Sequence, residues 1–272
     1  QIVSSLTAKV QQLVLLGDHK QLRPIINNYK LEKTCGVSLS LFERMNNNGV
    51  PCAKLDTQRR MHPDICALVA PIYDVLHTAE SVGTRSMLLK DDTTCSTVPG
   101  VTDYIYFVTH TQPEEPSSIG MSVMNLFEVR QAWQWTCYFL CRGVRPQSIT
   151  ILTPYKGQCM ELRKRFRVLE GSVSIQTVDR FQGDEADIII LSLVRTERLT
   201  EFIRREDRMC VALSRARFGL FILGNHQMLS SEEAPHWRRS IAMLQAKGRL
   251  GATLPLSFEG LIPKHERAYT KQ

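Results

Sequence analysis

The stretch that most constrains this chain is TVDRFQGDEADIIILSLVRT at residues 177–196, followed by VALSRAR at 211–217. An acidic, glycine-bearing turn runs straight into the aliphatic run Ile188 to Leu191, with Leu193 and Val194 close behind. A strand that is apolar at every position has no side to offer water, so it belongs in a parallel sheet covered on both faces. The surrounding sequence repeats the pattern. Strands are expected at Tyr104 to Val108, Ile149 to Leu152, Val173 to Gln176, Ile188 to Val194 and Leu220 to Leu223. Helices are expected between them at Val123 to Arg142, Gly157 to Leu169 and Asp207 to Ala216, with a closing helix at Pro235 to Lys247. Such alternation implies an α/β fold, a parallel sheet with helices on both faces. The tail from Gly248 is less patterned, and Leu254 to Ile262 is expected as an extended arm.

The first hundred residues carry weaker signals. Leu13 to Leu16 reads as a buried strand that delivers Gly17 and Asp18 to its carboxyl end, where ligands bind in open α/β sheets. Leu39 to Met45 is expected to be helical, stopped by Asn46 to Gly49. Cys52 to Leu55 reads as a strand ending at Asp56. Pro63 to Leu76 has the apolar spacing of a helix, with Ile65, Leu68, Val69, Ile72 and Val75 on one side and a bend at Pro71. Residues 77–101 read as a surface excursion, and 109–120 as a loop. Trp133, Trp135 and Tyr138 lie on the long helix, where core packing is a better account than base stacking.

Composition narrows the classes. The chain has 272 residues, 43% of them hydrophobic, enough for one or two domains with a substantial core. Lys plus Arg exceeds Asp plus Glu by 34 to 27, for a net charge of +7 and a pI near 9.0. That excess suits a polyanionic partner, and it equally suits a solvated basic face. The eight cysteines are scattered, with no C-x-x-C and no zinc-ligand spacing. Single cysteines of this kind fit a reducing compartment, and a cytoplasmic location is expected. No apolar run approaches the ~20 residues of a membrane span. The opening QIVSSLTAKV lacks signal-peptide order and reads like the middle of a domain, so the chain is expected to be part of a longer protein.

Four blocks could carry chemistry. In GDHKQLRP (17–24), the Gln21 amide can donate to a phosphate oxygen or orient a water, and His19 and Lys20 could reach a phosphate backbone. An ordinary strand-end turn would look the same. In QRRMHP (58–63), Arg59 and Arg60 are permanently charged planar donors that suit a transferring phosphoryl group, or else a surface ion pair. In QGDE (182–185), Gly183 permits a tight turn, and Glu185 offers acceptors to a ribose hydroxyl or a basic neighbour. A Walker-type magnesium aspartate follows its apolar strand. Here the acids precede it, so Asp184 and Glu185 are not assigned to a metal. In VALSRAR, Arg215 and Arg217 are expected at a helix end, diverging by roughly 200°. One would then face a cleft while the other pairs within the protein. Lys156, Arg163, Lys164, Arg165 and Arg167 make a basic helix whose simplest account is a solvated face.

Taken in order, GDHKQLRP, SLFERM, QRRMHP, ILTPYKGQ, TVDRFQGDEADIIILSLVRT and VALSRARFGLFILGN resemble the up-frameshift-type branch of superfamily 1 helicases, over roughly residues 10–226. The opening IVSSLTAKVQQLVLLGDHKQLRP, with SLFERM and PYKGQ, looks closest to the NFX-type zinc-finger-containing helicases. The interferon-linked helicases with a zinc-finger region are a neighbouring possibility. The resemblance implies two RecA-like lobes clamping ATP and Mg2+. Residues 1–50 would then end the first lobe, 51–235 would form the second, and 236–272 would be a C-terminal helix and tail. It implies that Gln21 senses the γ-phosphate and that Arg60 and Arg215 reach it from the second lobe. It also implies that Gly183 and Glu185 contact nucleotide, and that Thr153, Pro154, Tyr155 and Lys156 lie near the nucleic-acid path. At position 59 the family usually carries an aromatic residue that stacks on adenine. Arg59 departs from this, although a guanidinium plane can stack on a base too.

No G-x-x-x-x-G-K-[ST] occurs in the sequence. The Walker motifs, and with them most of the ATP and Mg2+ contacts, are expected upstream, in a first lobe that would be this chain's partner. The parent protein would be an ATP-dependent helicase moving 5′ to 3′ on single-stranded or structured RNA, with a role in antiviral or small-RNA regulation. The chain alone is expected to be inactive. Two other readings stand beside it: a non-enzymatic RNA-binding scaffold that keeps the helicase fold, and a DNA-repair helicase of the same superfamily.

Overall fold

A computed structural model describes residues 6–24, 34, 38–83, 98, 100–118, 120–169 and 171–256. In chain order its elements begin with helix α1 (Leu41–Asn47), strand β1 (Thr57–Gln58), helix α2 (Pro63–Val69), strand β2 (His77–Thr78) and helix α3 (Glu80–Gly83). Strands β3 (Ile105–Thr109), β4 (Glu115–Pro116) and β5 (Val123–Met124) lead into helix α4 (Leu126–Cys141). Then come β6 (Ile149–Thr153), α5 (Lys156–Arg165), β7 (Ser174–Thr177) and β8 (Ala186–Ser192). The chain continues through α6 (Glu201–Arg204), α7 (Glu206–Leu213), β9 (Ala216–Gly224), α8 (His226–Leu229), α9 (Pro235–Ala246) and β10 (Leu250–Gly251).

The main sheet has six strands in the order β10-β3-β9-β8-β6-β7, and every pairing is parallel. β8 sits inside the sheet and is buried at all of its positions, as its apolar run requires. Its side chains alternate between two core layers. Ile189 and Leu191 join Ile65, Leu68, Val211, Leu213, Trp237 and Ile241 on the face covered by α2, α7 and α9. Ile188 and Ile190 join Val129, Trp135, Phe139 and Leu162 on the face covered by α4 and α5. One irregularity links β8 and β9: Ala186 pairs with Ala216 while Ile188 pairs with Gly219, so β9 carries an extra residue there. This is the expected RecA-like arrangement, a parallel sheet with helices on both faces. Among the described residues no helix is long and apolar enough to cross a membrane.

Several expectations need correction. Leu13 to Leu16 forms no strand; Leu13, Val14 and Leu16 are 47%, 70% and 93% exposed. An apolar run becomes a strand only when a neighbour takes its backbone hydrogen bonds, and among the described residues none does. Cys52 to Leu55 is likewise irregular, and the strand begins beyond it as β1, a two-residue pairing with β2. The long helix starts at Leu126, because Asn125 caps it by accepting from the Glu128 N–H at 3.1 Å, and Val123–Met124 pairs with Glu115–Pro116 instead. The Pro63 helix ends at Val69 and continues as a 3-10 turn over Ala70–Ile72, at the proline expected to interrupt it. The tail beyond Gly248 adds the edge strand β10, and Leu256 bridges to Val101. Residues 257–262 of the expected arm lie outside the described residues, as do 84–97 of the expected surface excursion.

The aromatic residues of α4 serve the core. Trp135 and Tyr138 are 3% and 7% exposed, and Trp133 meets Phe166 edge-on at 5.0 Å. Much of the basic helix α5 is occupied within the protein. Arg163 donates to the Ile175 carbonyl at 2.8 Å, Lys164 pairs with Glu161, and Arg165 lies over the Trp133 ring.

Candidate nucleotide-facing site

Three loops, each shaped by a local polar residue, converge at one place. In the first, Asp18 organises the turn: its carboxylate accepts the Lys20 N–H at 2.9 Å and the Gln21 Nε2 donor at 2.9 Å. In the second, Gln58 of β1 accepts from the Arg60 and Met61 N–H groups at 2.9 and 2.7 Å and donates to the Met61 carbonyl at 2.8 Å. This side-chain clasp fixes the backbone on which Arg60 is carried. In the third, α7 ends at Ser214, and Arg215 follows in the turn before β9.

Arg215 is 1% exposed. Its guanidinium donates to the Val211 carbonyl at 3.0 Å, the Asp184 carbonyl at 3.4 Å, the Ser214 hydroxyl at 2.8 Å and Gln21 Oε1 at 3.3 Å. All four acceptors are neutral. Burial, together with the neighbouring positive charge of Arg60, pushes Arg215 down to about 10. Arg60 donates to the Ser214 carbonyl at 3.2 Å and forms a salt bridge with Glu185. Glu185 also faces Arg217 at 3.6 Å, and Arg217 reaches Asp187 at 3.2 Å. The expectation that Arg215 and Arg217 share a helix end is corrected. Arg215 lies in the turn after α7 and Arg217 on β9, so the two belong to different elements. Arg215 lies in the cluster with Gln21, and Arg217 pairs with Glu185 and Asp187.

A second polar chain supports the first. Tyr73 donates to Asp18 Oδ2 at 2.7 Å and lies 3.4 Å from Cys210 Sγ on α7. Burial raises the Tyr73 phenol, and its bond to Asp18 raises it further; burial also pushes the Cys210 thiol up to about 11. Both are therefore neutral near pH 7. They tie the Gln21 loop to α7, the helix that precedes Arg215. Arg23 adds a further tie, pairing with Glu43 at 2.7 Å while its N–H faces Asp207 at 3.4 Å. Sequence reasoning missed Asp18, Tyr73, Cys210 and Ser214. Asp18 had a usable signal, as an Asp three residues before the glutamine in a turn.

The other candidates are spread more widely. Gly183 has φ +92, a left-handed turn with open space where a Cβ would stand, next to Glu185. Arg59 is exposed, and its neighbour Arg60 is the one in the cluster. His19 stacks on Phe42 with ring centroids 6.5 Å apart. Thr153 to Lys156 lies at the carboxyl end of β6. Thr153 is fully buried, Tyr155 bonds Thr200 at 2.8 Å, and Lys156 is exposed. No described contact joins His19 or Lys20 to this second group. No cluster of His, Cys, Asp or Glu that could hold a metal ion occurs among the described residues.

The AAA domain family matches residues 37–227. The chain is 37% identical over 257 residues to NFX1-type zinc finger-containing protein 1 of Mus musculus, covering 93% of this chain and 13% of that protein. It is 37% identical over 269 residues to helicase required for RNAi-mediated heterochromatin assembly 1 of Schizosaccharomyces pombe, covering 94% and 25%. With regulator of nonsense transcripts 1 of Dictyostelium discoideum it shares 35% over 249 residues, covering 88% and 18%. The chain thus spans a quarter or less of these relatives. Among solved structures, the PRRSV helicase aligns with a TM-score of 0.33 and 19% identity, over 68% of this chain and 26% of that one. The C-terminal domain of a possible DNA helicase from Lactobacillus plantarum WCFS1 aligns with 0.38 and 14%, over 62% and 88%. From the domain match and these relatives, the chain belongs to the AAA domain family and is a region of the core of an up-frameshift-type superfamily 1 helicase.

Proposed function

We propose that this chain supplies the γ-phosphate-facing side of an ATP-dependent RNA helicase. The observation that carries the reading is Arg215: a guanidinium buried to 1% exposure, bonded to neutral acceptors, with a second guanidinium beside it. A buried cation without a direct carboxylate partner is costly, and an incoming anion offsets that cost. Arg60 and Arg215 offer planar, permanently charged donors to the oxygens of a transferring phosphoryl group, and Gln21 completes the set. Glu185 holds Arg60 until that anion competes for it. Gly183 and Arg59 flank the nucleotide. ATP supplies the phosphoanhydride, with Mg2+ held for the most part by residues outside this chain. In this reading residues 1–50 close one RecA-like lobe, 51–235 form the second and 236–272 follow it. The other lobe is this chain's partner.

The nucleic-acid path runs by Thr153, Pro154, Tyr155 and Lys156, with His19 and Lys20 contributing from the other loop. RNA is favoured because the relatives named for nonsense transcripts and for RNAi concern RNA. Direction is 5′ to 3′ on single strands, and the biological setting is antiviral or small-RNA regulation. The test replaces Arg60 or Arg215 with Ala in the parent protein. RNA-stimulated ATP turnover is expected to fall ~10³-fold or more. Unchanged turnover in both variants would refute the arginine roles. A competition between RNA and DNA strands in the same assay decides the nucleic acid.

A further inference from the structure

Val194 is the one non-glycine residue with positive φ among those described, at φ +71. A β-branched side chain rarely tolerates that backbone. The Arg195 N–H returns to the Leu193 carbonyl at 2.8 Å, making a γ-turn of the strained hand with Val194 at its centre. Both backbone groups of Val194 are held from outside. The fully buried Glu128 carboxylate accepts the Val194 N–H with both oxygens, each at 3.0 Å, and Asn125 Nδ2 donates to the Val194 carbonyl at 3.2 Å. Glu128 is itself fixed by His110 at 3.0 Å and by the Ser192 hydroxyl. Gln158, also fully buried, ties Ser192 to the Asn125 backbone at 2.9 and 3.2 Å. The network joins the ends of β3 and β8 to the starts of α4 and α5.

The turn has a consequence at the carboxyl end of the sheet. Past it, Arg195 pairs with Glu114 at 3.1 Å and lies over the Tyr155 ring at 5.3 Å. Thr196 N–H and hydroxyl bond the same Glu114 carboxylate at 2.8 and 3.0 Å. The turn at Val194 thus leads directly into the contacts of the segment leaving β8 with Glu114 and Tyr155.

We propose that Glu128 and Asn125 are positioning residues: they hold Val194 in its left-handed turn and so fix Arg195 against Tyr155 on the face that meets single-stranded nucleic acid. This deepens the nucleic-acid path proposed above and rests on it. A turn that is held against its preference stays in place only while its clamps are intact. The test uses the parent protein, a fluorescent oligouridine, and hydrogen exchange at residues 193–197. Glu128→Gln keeps the size but loses one acceptor oxygen, and is expected to weaken oligouridine binding about 10-fold and speed exchange at Val194 and Arg195. Adding Val194→Gly, which adopts positive φ freely, is expected to restore both. Val194→Gly in the wild-type background measures what the glycine contributes by itself, and only restoration beyond that gain supports the clamp. Wild-type binding by Glu128→Gln, or failure of the glycine to restore protection, would overturn the proposal. If Glu128→Gln does not fold, recovery of a folded protein on adding Val194→Gly supports the role, and lack of recovery overturns it. If the wild-type parent does not bind oligouridine, the RNA reading falls while the exchange measurements still decide the turn.

Discussion

Arg215 carries a permanent charge to a position where it is 1% exposed, and its neighbours explain how it stays there. Two carbonyls, a hydroxyl and an amide oxygen spread the cost of desolvation without cancelling the charge. Asp64 is the opposite case. Lys247 and Arg249 reach it at 2.9 and 3.0 Å, joining the first turn of α2 to the segment before β10. Partial burial alone would raise its carboxyl, but the two cations outweigh that and hold it at about 2, below 3.8. A depressed folded pKa stabilises fully above the unfolded value and is lost as pH falls through the folded one. Asp64→Asn should therefore cost about 1–2 kcal/mol near neutral pH, after allowing for solvent screening, and the difference should shrink as pH drops from about 4 toward about 2. Denaturant unfolding of both chains across that range checks it, and a difference independent of pH would refute the ion-pair account. At this scale the sequence named Gln21, Arg60, Glu185 and Arg215 through motif order. It did not name Tyr73 or Cys210, because a tyrosine or cysteine on an apolar helical pattern looks like core until its polar partner from another segment is known.

Elements were legible in proportion to how much their burial depends on their own residues. β8 could be read because an all-apolar strand has one stable environment, the inside of a covered sheet. β1, β4 and β10 were not readable, since two-residue strands exist only through their partners. Leu13 to Leu16 failed for the converse reason: it has strand composition without a paired neighbour among the described residues. The start of α5 shows how tightly two elements meet. A Cβ on Gly157 would stand 2.5 Å from the Ser117 Cβ and 2.9 Å from the Val123 carbonyl, where β5 crosses the helix. Gly157→Ala should therefore push the β4–β5 hairpin from α5 and destabilise by about 1–3 kcal/mol, although alanine is the better helix former. Thermal unfolding decides it, and an alanine variant as stable as wild type would mean the hairpin shifts freely.

For the whole molecule, the net charge of +7 is the property that a polyanionic partner would meet. Arg163 and Arg165 of α5 are engaged within the protein, so the proposed nucleic-acid path is expected to take its phosphate contacts mainly from the strand-end loops. Oligouridine affinity of the parent should fall linearly in log–log form as salt rises, by roughly one logarithmic unit of slope per phosphate neutralised. A flat dependence, measured by titration at several salt concentrations, would remove the polyanion from the account. The sequence by itself determined that the chain is α/β, that the run Ile188 to Leu191 is a buried strand of a covered sheet and that the charged motifs follow one another in a set order. These depend on local composition and on spacing, which the chain carries along its length. The tertiary structure decided the strand order, the extra residue in β9, the strained turn at Val194 and the meeting of Gln21 with Arg215 across 194 residues. Each of these depends on which distant groups satisfy a buried donor, acceptor or charge. That pairing is settled only when the two core layers close over the sheet.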